Sequence, residues 1–171
     1  LIGGVCLGGS IAFEIAQQLK QQGDQVLSLV MVDSPRPFLN EKEVGFLADI
    51  ITQQSQVLIG QSAHPWSYDS TEENIPPSIL SFFRVWKANI QALGSYQPKQ
   101  YSDSVTYISS VDKIVNSSYF DPSYPNSWYD LVTSKLEIQL VPGNHLTMLF
   151  DPNVKYLSEK INICLDFVDS I

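Results

Sequence analysis

The sequence predicts an α/β fold, a mostly parallel sheet with helices on both faces. Three observations predict it. The chain opens on a strand, a glycine-rich turn and a helix. An almost continuous apolar run follows, Gln25 to Asp33, as expected of a strand covered on both faces. Further strand-like segments then alternate with amphipathic helical ones. The 171 residues suffice for one domain. We expect an elbow- and acid-bearing core over residues 1–36, a helical insertion over 37–101 and a C-terminal core over 102–171.

Leu1 to Val5 reads as a strand. Gly9 to Gln22 reads as a helix, with Ile11, Ala12, Ile15, Ala16 and Leu19 on its apolar face and Gln17, Gln18, Gln21 and Gln22 opposite. Gly23-Asp24 ends that helix. The strand 25–33 follows, completing a right-handed βαβ unit, and Pro35 stops it. Glu41 to Ile59 looks helical, Gln61 to Pro77 is turn-rich, and Pro77 to Leu93 is a second amphipathic helix. An insertion of this size between sheet strands is expected to act as a lid. Ser104 to Ser109 is rich in strand formers. Leu136 to Val141 alternates and is expected nearer an edge. A last helix, Pro152 to Val168, should bury Val154, Leu157, Ile161, Cys164, Leu165 and Val168. Cys164 is therefore read as a core residue.

Chemistry concentrates at the first turn. Gly4-Val-Cys6-Leu-Gly8 has the spacing of a nucleophile elbow, G-x-S-x-G, with cysteine in the serine position. Gly4 and Gly8 are expected to be small because strand and helix meet there. The N–H of Leu7, at the helix start, is placed to stabilise an oxyanion. A buried structural cysteine and a phosphate-binding turn are the other readings of the pentapeptide. Asp33 and His145 also fall at strand ends, His145 after Pro142-Gly-Asn144. The order nucleophile, acid, base is that of α/β hydrolases. Cys6 would attack, His145 would move the proton, and Asp33 would orient His145. Asp112 is the competing acid and His64 the competing base.

Composition narrows the partners. Net charge is −8, which argues against nucleic acid. No apolar run approaches the ~20 residues of a membrane span. The two cysteines, Cys6 and Cys164, make no metal motif and no disulfide framework. We expect no bound metal, no membrane or nucleic-acid partner, and a cytoplasmic, reducing setting. Because the chain opens inside a strand, we expect early strands of the sheet to precede Leu1.

Several segments together resemble one family. Gly4-Val-Cys-Leu-Gly-Gly-Ser-Ile-Ala-Phe-Glu-Ile-Ala16 resembles the Gly-Trp-Ser-x-Gly-Gly…Ala-Phe-Glu-x-Ala signature of type I thioesterase domains, which close nonribosomal peptide synthetases, polyketide synthases and animal fatty acid synthase. Val32-Asp33-Ser34-Pro35 resembles the family's acid turn. Ala88 to Pro98 resembles the end of its second lid helix. Trp128-Tyr-Asp-Leu131 and Pro142-Gly-Asn-His-Leu-Thr-Met148 resemble its terminal Trp segment and histidine loop. Cysteine replaces the usual serine, as in some members.

The resemblance implies an α/β-hydrolase fold and release of an acyl or peptidyl chain held as a thioester on the phosphopantetheine arm of a carrier domain, in the same polypeptide. No cofactor would be bound directly. The chain would pass to Cys6 and leave by hydrolysis or macrocyclisation, the lid deciding which. Trp66, Phe82, Phe83 and Trp86 would line an apolar pocket or form lid core. The rival readings are a free-standing editing thioesterase, using Asp112 as acid, a simple esterase, and a non-catalytic α/β-hydrolase scaffold that binds an acyl chain or partner.

Overall fold

The computed structural model describes residues 1–35, 77–112 and 128–170. Four parallel strands form one sheet in the order β1 (Ile2–Val5), β2 (Leu29–Val32), β3 (Val105–Ser110) and β4 (Leu136–Val141). Helix α1 (Leu7–Gln22) connects β1 to β2, and α3 (Val154–Asp169) follows β4. Register is continuous: Val5 pairs with Val32, Val32 with Ile108, and Ile108 with Gln139. All four strands therefore end on one rim. β4 lies at one edge of the described sheet, as its alternating pattern predicts.

β2 explains why its sequence reads as unbroken apolar residues. Leu29 and Met31 pack on one face, with Ala12, Phe13, Ala16, Tyr107 and Trp128. Val30 and Val32 pack on the other, with Ile108, Val141, Met148, Leu157 and Cys164. A strand buried on both faces has no polar side to alternate with. The regular strand begins only at Leu29, four residues later than the apolar run suggests.

Two helical faces differ from expectation. Ile11 and Ile15 are exposed on α1, whereas Phe13 and Gln17 are buried. The buried arc is rotated by about 100° from the predicted one, given 3.6 residues per turn. Gln17 tolerates burial because its Oε1 accepts a hydrogen bond from the Lys99 N–H at 3.1 Å. Lys20 meets Asp103 in an ion pair beside it. Gly23, in the left-handed conformation at φ 89°, ends α1 as read. On α3, Leu157 and Cys164 are buried but Leu165 is exposed.

The chain divides into two compact units. One comprises Leu1–Pro37, Gln97–Asn116 and Phe120–Ile171, and holds the sheet. The other comprises Phe38–Tyr96 and Ser117–Tyr119. Its described element is helix α2, Pro77–Ser95, two residues longer than the amphipathic pattern predicts. The remainder of the expected lid, with the helix expected over 41–59 and Trp66, and the side chains of Phe82, Phe83 and Trp86, lie outside the described residues. No helix among the described residues is long and apolar enough to cross a membrane.

Candidate active site

The site stands on the rim where the strands end. β1 stops at Val5 and α1 starts at Leu7, leaving Cys6 alone between them at φ 53°, ψ −129°. Positive φ is costly for a residue with a side chain. The turn holds because Cys6 N–H donates to the Val32 carbonyl at 2.8 Å and its own carbonyl accepts from Gly9 N–H at 3.0 Å. Leu7 is the first residue of α1, so its N–H has no intrahelical acceptor.

The tightness of the turn shows in its glycines. A Cβ on Gly4 would lie 2.2 Å from the Gly8 backbone, so strand and helix meet there without room for a side chain. Gly8 itself is different. A Cβ there would meet nothing among the described residues, so the second elbow glycine is not required on its own account. The neighbour takes that role instead: a Cβ on Gly9 would lie 1.8 Å from Ser34 Oγ.

Gly9 thus admits the next turn, Asp33-Ser34-Pro35, against the start of α1. Asp33 is the second residue in the chain that combines a side chain with positive φ, at 43° among the described residues. Four side chains hold this turn. Tyr107 Oη and Trp128 Nε1 both donate to the Ser34 carbonyl, at 2.9 and 3.2 Å. Ser10 Oγ donates to the Pro35 carbonyl at 2.7 Å. Ser110 holds the carboxylate: its N–H donates to Asp33 Oδ1 at 2.9 Å and its hydroxyl to Oδ2 at 2.6 Å.

His145 lies in the loop after β4. Asn144 shapes that loop, its Oδ1 accepting from the N–H groups of Leu146 and Thr147 at 3.0 and 2.9 Å. The ring of His145 places Nδ1 3.3 Å from Asp33 Oδ2 and stands beside Cys6. Burial alone would pull the imidazole pKa down. The hydrogen bond to Asp33, its charge and the neighbouring Cys6 outweigh it, and the pKa is pushed up to about 10. Burial likewise favours protonation of Asp33, but the donors His145 and Ser110 and the imidazolium charge hold its pKa below the usual 3.8.

Cys6, Asp33 and His145, drawn from separate strand ends, thus come together. Asp112 does not join them. It is exposed, and its N–H donates to the Gly143 carbonyl at 3.0 Å. His64 lies outside the described residues. Cys164 is buried among Val30, Ile108 and Leu157, away from the rim. No cluster of three or more His, Cys, Asp or Glu among the described residues could hold a metal.

Residues 1–163 match the thioesterase domain family. The chain belongs to that family. It is therefore a hydrolase acting on thioesters, with the α/β-hydrolase fold of its structural neighbours. It is 27% identical over 156 residues to a dimodular nonribosomal peptide synthase of Bacillus subtilis, covering 78% of this chain and 6% of that protein. It is 24% identical over 170 residues to the non-reducing polyketide synthase terA of Aspergillus terreus, covering 92% of this chain and 8% of that protein. The thioesterase domain thus spans less than a tenth of these relatives. Among solved structures, a NocB thioesterase domain in covalent complex with a fluorophosphonate nocardicin G analogue superposes with a TM-score of 0.67 at 22% identity, over 95% of this chain and 64% of that one. Human thioesterase 2 superposes at 0.61 and 19% identity, over 99% and 73%.

Sequence reasoning missed Ser110, Tyr107, Trp128 and Gly9 as parts of this site. Ser109-Ser110 carried a readable signal: two small polar residues close a strand that is otherwise apolar and buried, on the rim where the candidate acid lies.

Proposed function

We propose that this thioesterase domain releases an acyl or peptidyl chain from the phosphopantetheine thioester of a carrier domain, through an acyl intermediate on Cys6. One observation carries the reading: His145 stands beside Cys6 with its Nδ1 3.3 Å from Asp33 Oδ2. The Cys6 thiolate attacks the thioester carbonyl carbon. The C=O electrons move to oxygen, and the Leu7 N–H stabilises that oxyanion at the positive end of α1. The carbonyl re-forms and the bond to the pantetheine sulfur breaks. The departing thiolate takes a proton from His145. Water, or a hydroxyl or amine of the chain itself, then gives a proton to His145 and attacks the acyl-Cys6 carbonyl, returning the Cys6 thiolate. Asp33 fixes the imidazole orientation and stabilises its cation throughout.

Two features support this over its rivals. The intermediate remains a thioester, so it stays activated toward amines and alcohols as well as water. This favours chain release, by hydrolysis or macrocyclisation, over simple oxygen-ester cleavage. Asp33, and not Asp112, pairs with His145, which favours the chain-releasing reading over the editing one. The relatives in peptide and polyketide synthases support a carrier domain in the same polypeptide as the natural donor. We further propose a cytoplasmic setting and the lid role of residues 37–101.

The test is intact-mass spectrometry after mixing the domain with an acyl-pantetheine thioester. An acyl adduct mapped to Cys6, lost in Cys6→Ala, is expected. Undiminished turnover by Cys6→Ala would overturn the proposal.

A further inference from the structure

Ser110 closes β3 and is nearly sealed from solvent, at 5% exposure. It is the one residue described here that reaches both oxygens of the Asp33 carboxylate, through its N–H to Oδ1 and its hydroxyl to Oδ2. Oδ2 is also the atom that faces His145 Nδ1. Two donors from two different strand ends therefore converge on a single oxygen. The serine bond is the shorter, 2.6 against 3.3 Å. A carboxylate on a turn can rotate about Cβ–Cγ, and a donor on each oxygen removes that freedom.

We propose that Ser110 is a positioning residue of the reaction, whose hydroxyl orients the Asp33 carboxylate toward His145. The inference rests on the reading of Asp33 as the acid. The backbone N–H at this position is available to any residue but proline, so it specifies nothing. The hydroxyl is what the side chain adds, and a hydrogen bond to an ionised acceptor stabilises the charged form. The titratable groups around the carboxylate are few among the described residues. His145 faces it from the loop after β4, Tyr107 from β3, and Cys6 lies beyond the imidazole. Ser110 counters the desolvation of Asp33 without adding a charge of its own.

Loss of one hydrogen bond to a charged acceptor corresponds to about 10- to 100-fold in rate. Ser110→Ala should lower kcat/KM on an acyl-pantetheine thioester by that factor. It should also move the acidic limb of the pH profile upward by about one unit, because the carboxylate becomes easier to protonate. Ser110→Thr keeps the hydroxyl and should restore most of the rate and the position of the limb. Alkylation of Cys6 by iodoacetamide gives a second readout that does not need turnover. There, Ser110→Ala should slow the wild-type protein but change nothing further in an Asp33→Asn background, since the two groups act as one unit.

The outcomes separate cleanly. If Asp33→Asn is inactive while Ser110→Ala keeps a normal rate and limb, the Ser110 proposal is wrong and the acid reading stands. If Ser110→Ala is slow with an unmoved limb and no recovery in Ser110→Thr, the serine is structural only and the proposal is again wrong. If Asp33→Asn turns over normally, the acid reading fails and takes this inference with it.

Discussion

Gly9 approaches Ser34 so closely that a β-carbon on the glycine would lie 1.8 Å from the serine Oγ and 2.7 Å from its Cβ. The backbone at the start of α1 therefore rests against the Ser34 side chain, and the elbow and the Asp33 turn form one packed unit. Ser34 is 0% exposed and has no room to retreat.

Three glycine-to-alanine variants should accordingly rank in a fixed order. Gly4→Ala and Gly9→Ala force backbone or buried atoms apart and should each destabilise the domain by about 1–3 kcal/mol or more, as overpacking does. Gly8→Ala meets nothing among the described residues and lies in a helix, so it should change stability by less than about 1 kcal/mol. Urea denaturation of the three variants reads the ranking directly. Equal losses at Gly8 and Gly9 would contradict it.

Asp33→Asn and Asp112→Asn should part company. The first removes the charge that orients and stabilises the His145 cation, and an asparagine can impose the wrong imidazole tautomer. A fall in kcat of about 10³- to 10⁴-fold is expected by analogy with acid replacement in serine triads. The second alters an exposed side chain and should leave kcat within about twofold. Steady-state kinetics on one thioester substrate decides. Loss confined to Asp112→Asn would move the acid to the end of β3.

Cys6 should be alkylated by iodoacetamide far faster than Cys164. Cys6 is only partly buried and beside His145, whereas Cys164 is 6% exposed in the core. Replacing His145 with alanine should slow Cys6 at least tenfold at neutral pH and leave Cys164 unchanged, because it removes the base beside the Cys6 sulfur. Peptide mapping after timed labelling measures both sites in one sample.

Stability should respond to pH in two windows. The His145 pKa rises from 6.5 unfolded to about 10 folded, so the native state binds more protons between those values. Its stabilising contribution is full below about 6.5 and is lost as pH climbs through about 10. Asp33 behaves in the opposite sense. Its folded pKa lies below 3.8, so its contribution is present above that value and is lost as pH falls through the folded pKa. Tm measured from pH 6 to 10 should decline, and His145→Gln should flatten the decline. An unchanged slope in that variant would assign it elsewhere.

Tyr107→Phe should cost about 1 kcal/mol, the net worth of one hydrogen bond, because Trp128 Nε1 still satisfies the Ser34 carbonyl. Trp128→Ala should cost about 3–5 kcal/mol, since it also vacates a fully buried site beside Phe13. Thermal unfolding of the two variants separates the hydrogen bond from the packing.

Much of this was legible in the residues, and the gaps have physical causes. Glycine spacing marks the elbow, and an apolar run without alternation marks β2, since both report local geometry or two-sided burial. The face of α1 was not legible. Isoleucines look like core and glutamine like surface, yet Ala12, Phe13 and Ala16 pack on the sheet, Gly9 and Ser10 meet the Asp33 turn, and Lys99 satisfies Gln17. Ser110 was hidden for a related reason. Its importance comes from Asp33, 77 positions away in sequence and adjacent only through strand register.

That register has a consequence for how the domain tolerates change. Val5 and Val32 are a matched pair, and Cys6 and Asp33 are the next residues on either strand. Their separation is inherited from a ladder whose two strands lie about 4.8 Å apart. The chain between them can therefore lengthen at its loops without altering the spacing of Cys6 and Asp33. A single-residue deletion inside β2 would instead turn Asp33 through the pleat. The Cys6–Asp33 segment is thus tolerant of length at its seam near residues 24–28, and intolerant of any change in the parity of its strands.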